Sequence, residues 1–540
     1  MLYQSIAAGR RQEREDCVEI RKNDVLELEI VDMSENGEGI GKELPCREEH
    51  PGKNTDEGRD KNGAQTRSRY TWFVRDAVIG DRIEARAMKM KKHYGFARLL
   101  KVLEPSAVRI EARCPAARQC GGCQLQMMSY EEQLRFKERK VCNNLKRIGG
   151  LDNLILPGAL EGSALSGGPD LEEGKAELKD GLCIMEPIIG MKDPWRYRNK
   201  AQIPFGRDKE GKVIYGFYAG RSHRIVACED CLLGAVENKE ILEQIRAWME
   251  QFGISPYDEE THSGLIRHAL IRKGFYTGEI MVCLVINART LPHSGELIRL
   301  LSSVSGMKSI CFSINTEKTN VIMGEELVSL SGPLCITDEI RGIKYRISPL
   351  SFYQVNPLQT EMLYQTALEY ANLTGNEIVW DLYCGIGTIS LFLAQRAKQV
   401  YGVEIVPQAI LDARENARIN GIDNAVFFTG KAEDILPEQY EKEKRHADVI
   451  VVDPPRKGCD TVCLDTIVKM QPDRVVYVSC DSATLARDVK YLRERGYEVQ
   501  RVRCCDMFGW SPHVETVVKL SHKKSDSVIN VKVEFGEGEG

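Results

Sequence analysis

A chain of 540 residues is too long for one hydrophobic core, and at about 100 to 200 residues per domain it implies about three domains. Hydrophobic residues make up 42% and charged residues 28%, and no apolar run reaches the ~18 residues that span a bilayer, which excludes a transmembrane helix and a membrane partner. The formal net charge of −5 gives no global pull on polyanions, so any nucleic-acid binding must come from local basic surfaces.

The opening "MLYQSIAAGRRQEREDC" turns charged too soon for a secretory signal, so the expected address is cytoplasmic. The 18 cysteines are then expected as reduced thiols, metal ligands or catalytic groups. Residues 22–104 read as short alternating strands with glycine turns, the pattern of a small β-barrel, with a polar insertion at 45–69. "MKMKKHYGFAR" sets Lys89, Lys91, Lys92 and Arg98 beside Tyr94 and Phe96, as single-stranded RNA binding requires.

Residues 105–345 read as a central α+β region with a flexible insertion at 157–181. Within it, "SYEEQLRFKERKVCNNLKRIGG" predicts a helix over 129–148, with a capping box at Ser129 and Glu132 and a glycine stop; this helix is expected to dock on the C-terminal domain. Cys114, Cys120 and Cys123 lie in "CPAARQCGGC", and Cys228 and Cys231 follow far downstream. Thiolate-rich sites hold zinc or iron–sulfur clusters, and the two CxxC pairs, Cys120/Cys123 and Cys228/Cys231, keep zinc open.

From 346 to 522 strands and helices alternate, which predicts a parallel Rossmann-like sheet ending in an antiparallel hairpin, followed by a tail at 523–540. In "DLYCGIGT" a strand meets a glycine turn that opens a helix, and Glu404 ends the next strand. Gly385 and Gly387 let backbone approach a ligand, while the acidic residue can accept from ribose hydroxyls. The turn lacks the dinucleotide spacing, so S-adenosylmethionine fits better than NAD. Cys480 ends the strand "VVYVSC", where open α/β sheets bind ligands, and the helix starting near Ser482 is expected to favour its thiolate.

Taken together, "SFYQVN", "DLYCGIGT", "GVE", "VDPPRKG", "VSCDSATLARD" and "HVETVV" resemble the bacterial RNA uracil-5-methyltransferases with an N-terminal TRAM domain, whose closest members act on 23S ribosomal RNA. The resemblance implies an S-adenosylmethionine site at Gln354, Tyr383, Glu404 and Asp453, with Cys480 as nucleophile and Glu515 as base. It also implies a [4Fe-4S] cluster on Cys114, Cys120, Cys123 and Cys231, with Cys228 a bystander. Asp481 and Ser482 depart from the family's asparagine and proline, which weakens any role for Asp481. The expected partner is a single-stranded loop or remodelled hairpin of ribosomal RNA. Two rivals remain: the same reaction on transfer RNA, and a non-catalytic iron–sulfur RNA-binding protein. A radical enzyme is disfavoured by five residues in the first cysteine gap, and a cytosine-5-methyltransferase by Cys459, which is displaced from a Pro-Cys pair.

Overall fold

The computed structural model describes residues 20–43, 70–156, 183–220 and 222–523; the expected insertions at 45–69 and 157–181 fall entirely outside these, as does the tail beyond residue 523. The chain divides into two compact units, one ending at Glu111 and one beginning at Ala112. Among the described residues no helix is long and apolar enough to cross a membrane.

The first unit holds β1 (Val25–Met33), β2 (Gly39–Glu43), β3 (Thr71–Arg75), β4 (Arg82–Met90) and β5 (Tyr94–Glu104). They close as a barrel in the order β1-β2-β3-β5-β4. Strand alternation turns Leu28, Ile30, Trp72, Val74, Ile83 and Ala85 inward. Gly95 makes this core possible, because a Cβ there would lie 2.5 Å from the Trp72 ring. The other face of β3 and β5 carries Phe73, Tyr94 and Phe96, with ring centroids 5.7 to 5.8 Å apart.

The second unit opens with the cysteine segment and α1 (Tyr130–Arg147). The Ser129 side chain caps α1 by accepting from the Glu132 amide, but the reciprocal half of the capping box is missing. The Glu132 carboxylate instead pairs with Arg139 at 2.7 Å and Arg135 at 3.3 Å, since arginines one and two turns on compete for it. Next come β6 (Leu154–Ile155) and β7 (Cys183–Ile189).

A seven-stranded sheet follows, built from β8 (Lys200–Arg207), β9 (Val213–Tyr218), β10 (Ile225–Ala227), β11 (Ile266–Lys273), β12 (Ile280–Ile286), β13 (Met307–Ile314) and β14 (Glu326–Ser331). Its order is β10-β9-β8-β11-β12-β13-β14. Helices α2 (Glu237–Gln251) and α3 (Ser294–Leu301) bury Trp248, Ile245 and Leu297 in its core. The hairpin β15 (Ile336–Ile340) and β16 (Ile343–Ile347) turns its isoleucines into the core of the C-terminal sheet.

That sheet takes β17 (Ile378–Leu382), β18 (Gln399–Glu404), β19 (Ala425–Thr429), β20 (Val449–Val452), β21 (Arg474–Ser479), β22 (Tyr497–Cys505) and β23 (Glu515–His522). Its helices are α4 (Pro357–Ala371), α5 (Thr388–Ala394), α6 (Pro407–Ile419), α7 (Ala432–Glu441), α8 (Thr461–Met470) and α9 (Ser482–Arg493). With β7 and β6 added at one edge the order is β19-β18-β17-β20-β21-β23-β22-β7-β6. The chain runs outward from β17 through β18 to β19, then returns to β20 on the other side of β17. A topological switch point therefore lies between the carboxyl ends of β17 and β20. The expected terminal hairpin is present, but β23 inserts between β21 and β22, antiparallel to both.

Helix α1 is tied to the β22–β23 connection by a fully buried ion pair. Lys137 Nζ donates to Asp506 Oδ1 at 2.6 Å and to the Phe508 carbonyl at 3.1 Å, while Tyr130 Oη donates to Asp506 Oδ2 at 2.7 Å. Burial pulls the Lys137 ammonium down and the Asp506 charge opposes it. Replacing Lys137 with Met strands a buried carboxylate and is expected to cost about 3 to 5 kcal/mol in urea unfolding. The double replacement Lys137→Met/Asp506→Asn is expected to recover part of that loss, and equal losses in both would show that the pair's charges are not the source.

Candidate active site

The carboxyl ends of the parallel strands gather the groups singled out in the sequence. At β17 the glycine turn leaves the strand with Tyr383, Gly385 and Gly387 at positive φ of 70°, 55° and 82°. A side chain at Gly385 would meet nothing within 4 Å, whereas one at Gly387 would press on the Phe427 ring at 3.2 Å. The first glycine thus opens space for a ligand, and the second permits packing on β19. Glu404 ends β18 and accepts from the Gly385 amide at 3.2 Å and the Val406 amide at 2.9 Å, which fixes its carboxylate at the mouth of the turn. Tyr383 turns its ring toward Cys459 and Cys463 beside α8. Gln354 is buried and gives its backbone carbonyl to Asn199 Nδ2 at 2.9 Å, just before Asn356 caps α4. Cys384 is a buried core thiol.

Asp453 follows β20, and burial pushes its carboxyl up to about 7. Asp381, fully buried on β17, is also pushed up to about 7; its Oδ2 accepts from Ser390, while its Oδ1 has no hydrogen-bond partner. An orphaned buried oxygen beneath an open glycine turn, with Glu404 at the rim, fits a nucleoside-type methyl donor carrying hydroxyl and ammonium donors.

Cys480 sits at the end of β21, and the antiparallel register pairs Ser479 with Thr516. Glu515, one residue before Thr516, is thereby set opposite Cys480, although 35 residues separate them in the chain. Glu515 is 3% exposed, and burial with the Asp453 charge pushes its carboxyl up to about 8, opposed by Arg456.

At Cys480 the surroundings act against the expected thiolate bias. Burial, then the Glu515 and Asp453 charges, push the thiol up to about 11, with Arg456 acting the other way. The helix behind it does not rescue the anion, because Asp481 caps α9: its Oδ1 accepts from the Ala483 and Thr484 amides at 3.0 Å each. Those are the donors a thiolate would use. Asp481 is thus a structural cap.

Two residues without an expected role face the same space. Arg456 is the cation whose field reaches Cys480, Glu515 and His513. Burial and the cations Arg456, Lys140, Lys137 and Arg198 hold the His513 imidazole down at about 4. The signal for Arg456 was its place directly after "DPP"; His513 had none beyond "HVET".

The cysteine segment lies elsewhere in the same unit. Cys114, Cys120, Cys123 and Cys231 lie within electrostatic reach of one another, and so does Cys228. Cys123 and Cys231 pack on one cluster with Trp510, whose carbonyl accepts from the Gln124 and Leu125 amides at 3.0 Å. Among the described residues no three His, Cys, Asp or Glu side chains form a ready-made metal cage. The donor chemistry suits a soft metal, but the arrangement does not separate Cys228 from the other four.

The charges around Cys480 can be read directly. Iodoacetamide labelling of Cys480, followed by peptide mass spectrometry, is expected to rise with pH toward a midpoint near 11. Glu515→Gln removes a like charge and is expected to move that midpoint down; Arg456→Ala is expected to move it up. A midpoint unmoved in both would separate Cys480 from these charges.

Residues 310–523 match the family described as tRNA (Uracil-5-)-methyltransferase. The chain is 46% identical over 505 residues to an uncharacterized RNA methyltransferase of Halalkalibacterium halodurans, covering 93% of this chain and 98% of that one. It is 43% identical over 506 residues to another of Clostridium tetani, covering 94% and 98%. Among solved structures it is similar to the Pyrococcus abyssi tRNA (uracil-54, C5)-methyltransferase in complex with S-adenosyl-L-homocysteine. That likeness has a TM-score of 0.67 at 25% identity and covers 92% of this chain and 99% of that chain. With a relative this similar along nearly its whole length, and residues 310–523 matching the uracil-5-methyltransferase family, the chain belongs to the S-adenosylmethionine-dependent RNA uracil-5-methyltransferase family.

Proposed function

We propose that the protein methylates C5 of a uridine in 23S ribosomal RNA through a covalent intermediate on Cys480. The observation that carries the mechanism is the register of β21 and β23, which sets a buried carboxyl facing a thiol at the edge of the crevice. Uracil C5 is a weak nucleophile. Cys480 gives up its thiol proton to solvent, and the thiolate adds to C6. The C5=C6 electrons pass to C5 and the O4 enolate, and C5 then takes the methyl group, leaving the donor's sulfur as a neutral thioether. S-adenosylmethionine, when bound, supplies that methyl group as an electrophilic sulfonium; Gln354, Tyr383, Gly385, Gly387, Glu404 and Asp453 are the residues assigned to hold it. Glu515 removes the C5 proton, and the electrons left behind expel Cys480 from C6. A base with a pKa of about 8 is matched to that proton near neutral pH. Arg456 favours the charged form of Glu515 and lowers the cost of forming the Cys480 thiolate.

Support for an RNA substrate comes from the barrel, where the exposed Tyr94 joins Phe73 and Phe96 on a face flanked by exposed Lys89, Lys91, Lys92 and Arg98. Ribosomal RNA is favoured by the combination of a TRAM-like barrel with a cysteine cluster, which is taken as [4Fe-4S] on Cys114, Cys120, Cys123 and Cys231 with a structural or RNA-positioning role. Two second readings each have an observation behind them. The similar solved structure acts on transfer RNA, and Cys228 lies near the other thiols, as two zinc-binding CxxC pairs would require.

The deciding experiment deletes the gene and maps 5-methyluridine; loss from 23S ribosomal RNA is expected, and loss confined to transfer RNA would replace this reading. Glu515→Gln is expected to accumulate methylated RNA covalently bound to Cys480 and stable to denaturing electrophoresis, while Cys480→Ala forms neither adduct nor product. Wild-type turnover by Glu515→Gln would remove Glu515 from the mechanism. Purified protein is expected to hold about four irons, lost in Cys114→Ala and kept in Cys228→Ala; zinc lost in Cys228→Ala would instead select the paired site.

A further inference from the structure

Away from the methyl-transfer crevice, the seven-stranded sheet carries a cleft of about 630 Å³, within the range of small-ligand sites. Its walls come from Tyr218 at the end of β9, His268 on β11, His223, and the stretch around Asn320 after β13. One rim is Gly121 and Gly122 of the cysteine segment, held there by the Gly121 amide donating to the Tyr218 carbonyl at 3.4 Å.

The unusual group is His268. It is 3% exposed, and neither Nδ1 nor Nε2 has a hydrogen-bond partner. Leaving such buried polar atoms unpaired is costly, so the site is built for something that supplies the missing bonds. Burial and the adjacent Arg267 hold the imidazole down at about 4, so at neutral pH it offers one donor and one acceptor. The Tyr218 ring stands edge-on to both imidazoles, 5.8 Å from His223 and 6.3 Å from His268.

An anion fits poorly here. The terminal nitrogens of Arg267 are already committed, donating to the carbonyls of Asn315, Glu317 and Thr319 while the guanidinium stacks 4.4 Å over Tyr257, and only its buried Nε has no partner. Glu259 adds a negative charge to the lining. A neutral planar ring with mixed donors and acceptors on its edge fits well. We propose that this cleft takes one unpaired nucleobase of the substrate RNA, other than the target uridine, read by His268 and Asn320 and seated against Tyr218. The inference rests on the RNA substrate and is indifferent to which RNA it is. It also links two sites: the loop that forms the rim continues to Gln124 and Leu125, which bond Trp510 in the connection leading to Glu515.

The test uses the full-length protein and a synthetic fragment of whichever RNA the wild type methylates, with each nucleotide around the target made abasic in turn. One non-target position is expected to lower kcat/KM about tenfold or more, the scale of one lost base contact. His268→Ala and Asn320→Ala are each expected to lose a similar factor on intact RNA, mainly through KM. Both should lose little more on that one abasic RNA, while S-adenosylhomocysteine affinity stays at the wild-type value. Losses that multiply at every position, or no sensitive non-target position, would overturn the proposal; if His268→Ala fails to bind S-adenosylhomocysteine, Asn320→Ala alone decides by the same pattern. A wild type that methylates only transfer RNA fragments would sink the ribosomal assignment while leaving this scan to run on transfer RNA.

Discussion

The second unit is organised around one buried charge pair, Lys137 with Asp506, both side chains fully excluded from solvent. Taking two charges out of water is expensive, and their attraction repays it only when the remaining donors and acceptors are satisfied. Here they are: Tyr130, the Phe508 carbonyl and the Phe508 amide complete the network. The pair fixes α1 to the connection between β22 and β23. That connection delivers Glu515 on one side and presents Trp510 to the cysteine segment on the other. The sheet edge, the cysteines and the carboxyl opposite Cys480 are therefore held by one junction.

The chemistry at the crevice depends on burying like charges together. Burial pushes Asp453, Glu515 and the Cys480 thiol toward their protonated forms, the Asp453 charge adds to this at Glu515, and both carboxylates add to it at Cys480. Arg456 is the counterweight, placed on the loop after β20 where it acts on Cys480 and Glu515 at once. In the resting enzyme burial and these charges hold the Cys480 thiol toward its protonated form. This keeps a potentially reactive thiol quiet until substrate and methyl donor change the field around it. Such mutual perturbation is what acid–base and nucleophilic sites use to bring ordinary side chains into range.

Much of this was legible in the chain. Alternation with glycine turns over 22–104 announced a barrel, and its exposed aromatic and basic face could be read from "MKMKKHYGFAR", because strand periodicity is a local property. The glycine turn, the acidic residue ending the next strand and the cysteine ending "VVYVSC" could be read for the same reason. Other features could not. The capping box at Ser129 and Glu132 is only half formed because Arg139 and Arg135 compete for the carboxylate. Asp481, which looked like a departure from the family, caps α9 and thereby withholds the helix terminus from Cys480.

The sequence by itself determined which segments become strands and helices and which side chains stand at strand ends, since backbone preferences and periodicity act over a few residues. Only the tertiary structure decided that β23 enters the sheet between β21 and β22, that β7 extends the edge, and that Glu515 therefore meets Cys480. It also decided the protonation of that thiol, pushed up where the helix alone suggested it would be pushed down. The reason is physical: pairing order in a sheet, burial and the sum of nearby charges are set by groups from distant segments, here 453, 456, 480 and 515, whose proximity no local pattern records.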